Sequence, residues 1–105
     1  MLDLVAKKLF LTKGVGVADD KLTSFEFALR QAGIAGTNIV LISSIFPPNA
    51  KLIPRKEGLK LIKPGQILFT IYSRNQTNET NRLVSASVGI AQPKDRSKYG
   101  YLSEY

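Results

Sequence analysis

The sequence predicts an α+β domain, a set of short β-strands with one helix laid against their sheet. Three observations carry that expectation. At 105 residues, 44% apolar and 22% charged, the chain has the size and composition of one globular domain able to bury a core. Short apolar runs recur between proline, glycine and polar clusters, as strands do between turns. A single stretch combines helical apolar spacing with a start and a stop signal.

The first strand is expected at residues 7–12, ahead of a turn at Gly14-Val15-Gly16. Two glycines without the third of a dinucleotide fingerprint carry no cofactor meaning. The helix follows. Thr23-Ser24-Phe25-Glu26 fits a capping box, in which the Thr23 hydroxyl and the Glu26 carboxylate each satisfy a free backbone N–H. Leu22, Phe25, Leu29 and Ala32 make one apolar stripe, and Gly33 supplies a left-handed stop.

Residues 38–43 are expected to form a strand buried on both faces, because Ile39-Val40-Leu41-Ile42 is continuous rather than alternating. Pro47-Pro48 ends it, since proline donates nothing to a ladder. Further strands are expected at 51–53, 67–72, 83–91 and 99–105, with a turn at 63–65 and polar loops at 73–80 and 93–98. The triplets that start at Asn75 and Asn78 match a glycosylation acceptor, but without a secretion signal they read as coincidence.

Two absences narrow the chemistry. No cysteine means no disulfide, thiol nucleophile or thiolate metal site. No histidine removes the usual general base and the commonest metal ligand, so no metal site is expected. Fifteen Lys and Arg against eight Asp and Glu give a net charge of +7. Such a surface attracts polyanions, yet solubility is the better reading. The densest basic cluster, residues 55–63, has no aromatic residues interleaved for stacking bases. No nucleic-acid or membrane partner is expected, and a cytoplasmic location is.

One junction asks for more than folding. Ser43-Ser44 stands where the apolar run 38–42 meets Ile45-Phe46-Pro47-Pro48. From spacing alone the two serines cap a strand and start a turn. The missing histidine and the missing nucleophile elbow argue against a triad hydrolase.

The wider pattern changes that weighting. Asn38 and Ser43-Ser44-Ile45-Phe46-Pro47-Pro48 follow Phe25-Glu26, Ala28-Leu29 and Ala32-Gly33-Ile34 in order. Lys63-Pro64-Gly65, Ala86-Ser87-Val88-Gly89 and Tyr99-Gly100-Tyr101-Leu102-Ser103-Glu104 come after them. This collinear set resembles the pyruvoyl-dependent arginine decarboxylases over nearly the whole chain.

The resemblance implies a self-processing proenzyme. The Ser44 hydroxyl would attack the Ser43 carbonyl, turning the amide into an ester. Loss of the Ser44 α-proton would then release a β chain of residues 1–43. An α chain of residues 44–105 would remain, headed by a covalent pyruvoyl group derived from Ser44. The shift is uphill, so strain at that bond, typically about 1–3 kcal/mol, would favour it. A substrate amine would then form a Schiff base on the pyruvoyl ketone, which acts as an electron sink during loss of carbon dioxide. The products from L-arginine would be agmatine and carbon dioxide, an entry step to polyamines.

The same resemblance makes Glu104 the proton donor, a role for a protonated carboxyl that burial favours. It makes Asn38 an aid to processing at the Ser43 carbonyl. On a regular strand Asn38 and Ser44 lie roughly 20 Å apart at about 3.3 Å per residue. Either the chain bends between them, or a neighbouring subunit supplies the Asn38, which suits a homotrimer with sites between subunits. Glu26 falls where the family holds the substrate guanidinium with an acid, and a carboxylate pairs well with that fork. Glu26 is also the acid of the capping box, so the two roles compete.

Relatives of this kind continue past residue 105, so the implied αββα sandwich is expected to be incomplete at its C-terminal end. A trimmed sequence is the favoured reason, ahead of a naturally shortened non-catalytic relative or a fragment completed by another chain. The alternative function is a non-catalytic binding or regulatory module on the same fold. Ser43, Ser44, Asn38, Glu104 and Glu26 are thus the candidate site.

Overall fold

The structure, a computed structural model, describes residues 4–77, 79 and 85–104. Along them run β1 (Lys8–Leu9), α1 (Lys21–Ala32), β2 (Asn38–Leu41), β3 (Ile45–Phe46), β4 (Lys51–Leu52), α2 (Arg55–Leu61), β5 (Ile67–Thr70), β6 (Val88–Ala91) and β7 (Gly100–Glu104). Two helices and several short sheets make this a small α+β protein. The chain divides into two units. The first comprises Met1–Lys7, Leu41–Ala50 and Phe69–Tyr105, and the second Lys8–Val40 and Lys51–Leu68.

In the second unit Asp20 fixes where α1 begins. Its Oδ1 accepts from the Thr23 N–H at 2.7 Å and its Oδ2 from the Thr23 hydroxyl at 2.9 Å. The expected capping box at Thr23 and Glu26 is therefore corrected. Thr23 already lies inside the first turn, and the helix gains three residues at its start. The stop at Gly33 is found as expected, with φ 87°. The Gly33 N–H donates to the Arg30 carbonyl and the Ile34 N–H to the Leu29 carbonyl, each at 3.0 Å, a paired closure typical of helix ends. Of the expected stripe Ala32 is buried and Phe25 and Leu29 are half-buried, whereas Leu22 is 80% exposed, a second correction.

The last carbonyls of α1 find donors outside the helix. Thr12 donates its hydroxyl to the Ala32 carbonyl at 2.7 Å. The Arg55 guanidinium donates to the Gln31 carbonyl at 3.1 Å and to the Thr12 hydroxyl at 2.8 Å. A cation at this end also suits the helix dipole. β1 and β4 pair in parallel, Lys8 opposite Lys51 and Leu9 opposite Leu52. α2, read from sequence only as a basic cluster, starts after Pro54 and keeps Gly58 buried.

β2 and β5 pair with each other. The Asn38 N–H donates to the Gln66 carbonyl at 2.8 Å in the second unit, and the Ile42 N–H to the Thr70 carbonyl at 3.1 Å in the first. The expectation of a strand buried on both faces over 38–43 is corrected. It ends at Leu41, and Val40 and Leu41 are 40% and 59% exposed.

The first unit is built on an antiparallel sheet in the order β3-β7-β6. β7 is central, with Ile45 opposite Tyr101 on one side and Ala91 opposite Tyr101 on the other. Phe46, Ala50 and Leu102 are the buried apolar residues here. The strands expected at 67–72 and 83–91 are shorter, Ile67–Thr70 and Val88–Ala91, with residues 83 and 84 outside the described set. Asn78 and its triplet also fall partly outside it. No helix of the described residues is long and apolar enough to cross a membrane.

Candidate functional site

The Ser43–Ser44 bond lies in the first unit between two main-chain anchors. Upstream, Ile42 is tied to Thr70 as above. Downstream, the Leu102 N–H donates to the Ser44 carbonyl at 2.8 Å. The register Ile45 to Tyr101, carried one step beyond β3, sets Ser44 opposite Leu102. Ser43 is exposed and Ser44 half-buried. Among the described residues the Ser44 N–H makes no main-chain hydrogen bond. The carbonyl side of Ser44 is therefore fixed in a ladder while its nitrogen side is not.

The turn after β3 adds a third hold. Asn49 adopts φ 61°, a left-handed conformation that asparagine tolerates better than most residues. The Ala50 N–H donates to the Pro47 carbonyl at 3.2 Å, closing the turn, and the Asn49 N–H to the Arg96 carbonyl at 2.7 Å. The partner loop is shaped by Asp95, whose carboxylate accepts from the Ser97 hydroxyl at 2.6 Å and the Ser97 N–H at 3.0 Å. Those two bonds hold the Asp95 carboxyl below its ordinary range, the hydroxyl bond contributing most. Pro47-Pro48 thus leads into a pinned turn rather than simply ending a strand.

Glu104 is the last residue of β7, two positions past Leu102, and pairs with Val88. Residues two apart share a strand face, so Glu104 follows Leu102 about 7 Å along the same face. Its side chain is exposed. Ser43, Ser44 and Glu104 are accordingly brought into one unit, with Ser44 and Glu104 both served by β7.

Asn38 and Glu26 belong to the second unit. The Asn38 amide donates from Nδ2 to the Gly65 carbonyl at 3.0 Å, bracing the turn at 63–65. Glu26 does not cap α1. Its Oε1 meets the Arg30 Nε at 3.3 Å, one turn along the helix, with side chains 44% and 64% exposed. The Arg30 guanidinium also lies 5.7 Å from the centre of the Phe27 ring. The competition between cap and binding role is removed, because Asp20 does the capping. Oε2 of Glu26 accepts no hydrogen bond among the described residues and remains open to a second donor.

One contributor escaped the sequence reading. Leu102 acts through its main-chain N–H, and no side-chain pattern announces which amide of a strand faces a serine. Only the register reveals it.

Comparison with known proteins gives one consistent family. A family model described as pyruvoyl-dependent arginine decarboxylase matches residues 8–105. A pyruvoyl-dependent arginine decarboxylase of Nitrosopumilus maritimus is 80% identical over all 105 residues. One from Thermoplasma volcanium is 55% identical over the same length. A probable pyruvoyl-dependent arginine decarboxylase of Chlorobaculum tepidum is 57% identical over 104 residues, 99% of the chain. The chain spans 57–58% of the length of these relatives.

Proposed function

Since this chain belongs to the pyruvoyl-dependent arginine decarboxylase family, we propose that it processes itself between Ser43 and Ser44 and serves in converting L-arginine to agmatine and carbon dioxide. The observation that carries this reading is the state of Ser44. Its carbonyl is held by Leu102, its nitrogen is outside the ladder, and it is half-buried at the end of a short strand.

That arrangement suits the residue that would become the pyruvoyl group. An acyl shift needs the Ser44 nitrogen to become an amine, which a ladder bond at that nitrogen would oppose. It also needs the Ser44 hydroxyl to stay near the Ser43 carbonyl, and anchors at Ile42 and Ser44 limit the drift of the peptide between them. The pyruvoyl group, once formed, supplies an electron sink for the electrons released as the substrate carboxylate departs.

The other candidate residues take separate roles. Glu104 delivers the proton that replaces the lost carboxylate. Glu26 holds the substrate guanidinium with its open oxygen, while Arg30 keeps the other oxygen in place. Asn38 assists the first step of processing. Residues 1–105 belong, in this reading, to one αββα sandwich domain. Sites lie between the subunits of a homotrimer, where a neighbour covers the exposed Glu104.

Intact-mass measurement tests the proposal. The protein is expected to separate into a chain ending at Ser43 and a chain beginning at residue 44 with a borohydride-reducible terminus. Ser44→Ala is expected to leave the chain whole while its fold persists. Normal scission in that variant would remove Ser44 as nucleophile, and a wild-type chain that stays whole would remove the reading itself.

A further inference from the structure

We propose that the Leu102 main-chain N–H is the oxyanion donor for the elimination step of self-cleavage, acting on the carbonyl oxygen of Ser44. The inference rests on the reading that the Ser43–Ser44 bond is the one processed.

After the acyl shift the carbonyl carbon of Ser43 is bonded to the Ser44 Oγ, and the Ser44 nitrogen is a free amine. Scission then requires the Ser44 α-proton to pass to water acting as base. The C–H electron pair becomes the Cα=Cβ bond as the Cβ–Oγ bond breaks, and Ser43 departs as a carboxylate. One proton is transferred, one C–O bond breaks, one carbon–carbon double bond forms, and nothing is oxidised or reduced.

An α-proton of an ordinary residue is a very weak acid. As it leaves, negative charge spreads from Cα onto the adjacent carbonyl oxygen, which is the Ser44 oxygen. That oxygen is the atom to which Leu102 donates at 2.8 Å. The carbonyl attacked in the first step is that of Ser43, so this donor acts on the second step and not on the first.

The donor is also preorganised. β7 is the central strand, paired on its other side with β6 from Val88 to Ala91, and Leu102 is only 6% exposed. A donor fixed in this way stabilises developing charge without moving to meet it. Because the contact is main chain to main chain, it survives any change of the Leu102 side chain that keeps the strand.

The test replaces the Leu102 residue with its α-hydroxy acid by nonsense suppression in the full chain, which removes the N–H and keeps the side chain. The same exchange at Ser103 is the control. The Leu102 exchange is expected to slow scission by about 10–100-fold, somewhat less than loss of a typical oxyanion donor. The shift itself should be unaffected, so hydroxylamine should still trap the small equilibrium fraction of Ser43–Ser44 ester and release a chain headed by intact Ser44, while the control behaves like wild type. Scission at the wild-type rate, or slowing in which hydroxylamine no longer traps the ester, would overturn the proposal. Amide exchange of Leu102 in the Ser44→Ala chain is an independent check that needs no ester variant. A rapidly exchanging Leu102 N–H would overturn the proposal by itself. If wild type never splits, the underlying reading fails instead, so the two failures are distinct.

Discussion

Asp20 shows at the scale of one residue how local chemistry sets a boundary. Two patterns overlap in the sequence, Asp20-x-x-Thr23 and Thr23-x-x-Glu26, and either could start a helix. The chain takes the earlier one, because an added turn gains main-chain bonds and still ends at Gly33. The Asp20 carboxyl is held below its ordinary value, chiefly by the Thr23 backbone N–H and then by the Thr23 hydroxyl. A folded value below the unfolded one adds stability that is present above the unfolded value of about 3.9. That contribution is lost as pH falls through the lowered folded value. Thermal melts should therefore separate two variants. Asp20→Ala is expected to melt lower at neutral pH, since alanine cannot cap. Asp20→Asn is expected to stay near wild type at neutral pH and to lose less than wild type on acidification below about pH 4. Equal acid sensitivity in wild type and Asp20→Asn would show that the carboxylate is not the titrating group.

Elements are where sequence legibility divides most clearly. The end of α1 and the turn at 63–65 could be read, because each depends on a glycine in the left-handed region, Gly33 and Gly65. The beginning of α1 could not, since the Thr23–Glu26 spacing matches a capping box and only the fold reveals Asp20 as the cap. α2 stayed hidden because seven residues with a central glycine carry little helical propensity. Its Gly58 is instead buried against the Phe10 ring, and that packing is invisible in a local window. The candidate serines were legible from their neighbours in sequence, whereas the Leu102 amide depended on strand register. Gly14 and Gly16 belong to the same lesson. A Cβ on Gly14 would run into the Ala28 carbonyl and one on Gly16 into the Ser24 carbonyl, so the segment before α1 lies directly on the helix backbone. Gly16→Ala is expected to destabilise the protein by about 1–3 kcal/mol through overpacking. Gly36→Ala, where a Cβ meets nothing within 4 Å, should leave the denaturation midpoint nearly unchanged. Matching midpoints for the two variants would mean that the close approach at Gly16 does not exist in solution.

For the whole molecule two forces act in opposition. Large apolar side chains lie exposed in both units, among them Ile45, Phe69 and Tyr101 in the first and Val17, Leu22 and Leu52 in the second. Burying such surface favours association, at roughly 25 cal/mol for each Å² removed from water. The net charge of +7 opposes it, because copies of a basic chain repel one another. Repulsion between exposed charges is screened within about 10 Å at 0.1 M salt and within about 3 Å at 1 M, whereas apolar burial is not weakened by screening. Association should therefore strengthen as salt is raised, the reverse of a polyanion-binding surface, whose contacts weaken. Sedimentation of the protein across that salt range reads the balance directly. The expected outcome is a shift toward trimer mass at high salt, with Tyr101→Lys reducing it at every concentration. A mass that stays monomeric throughout, or that falls as salt rises, would show that the exposed apolar surface is not where copies of this chain meet.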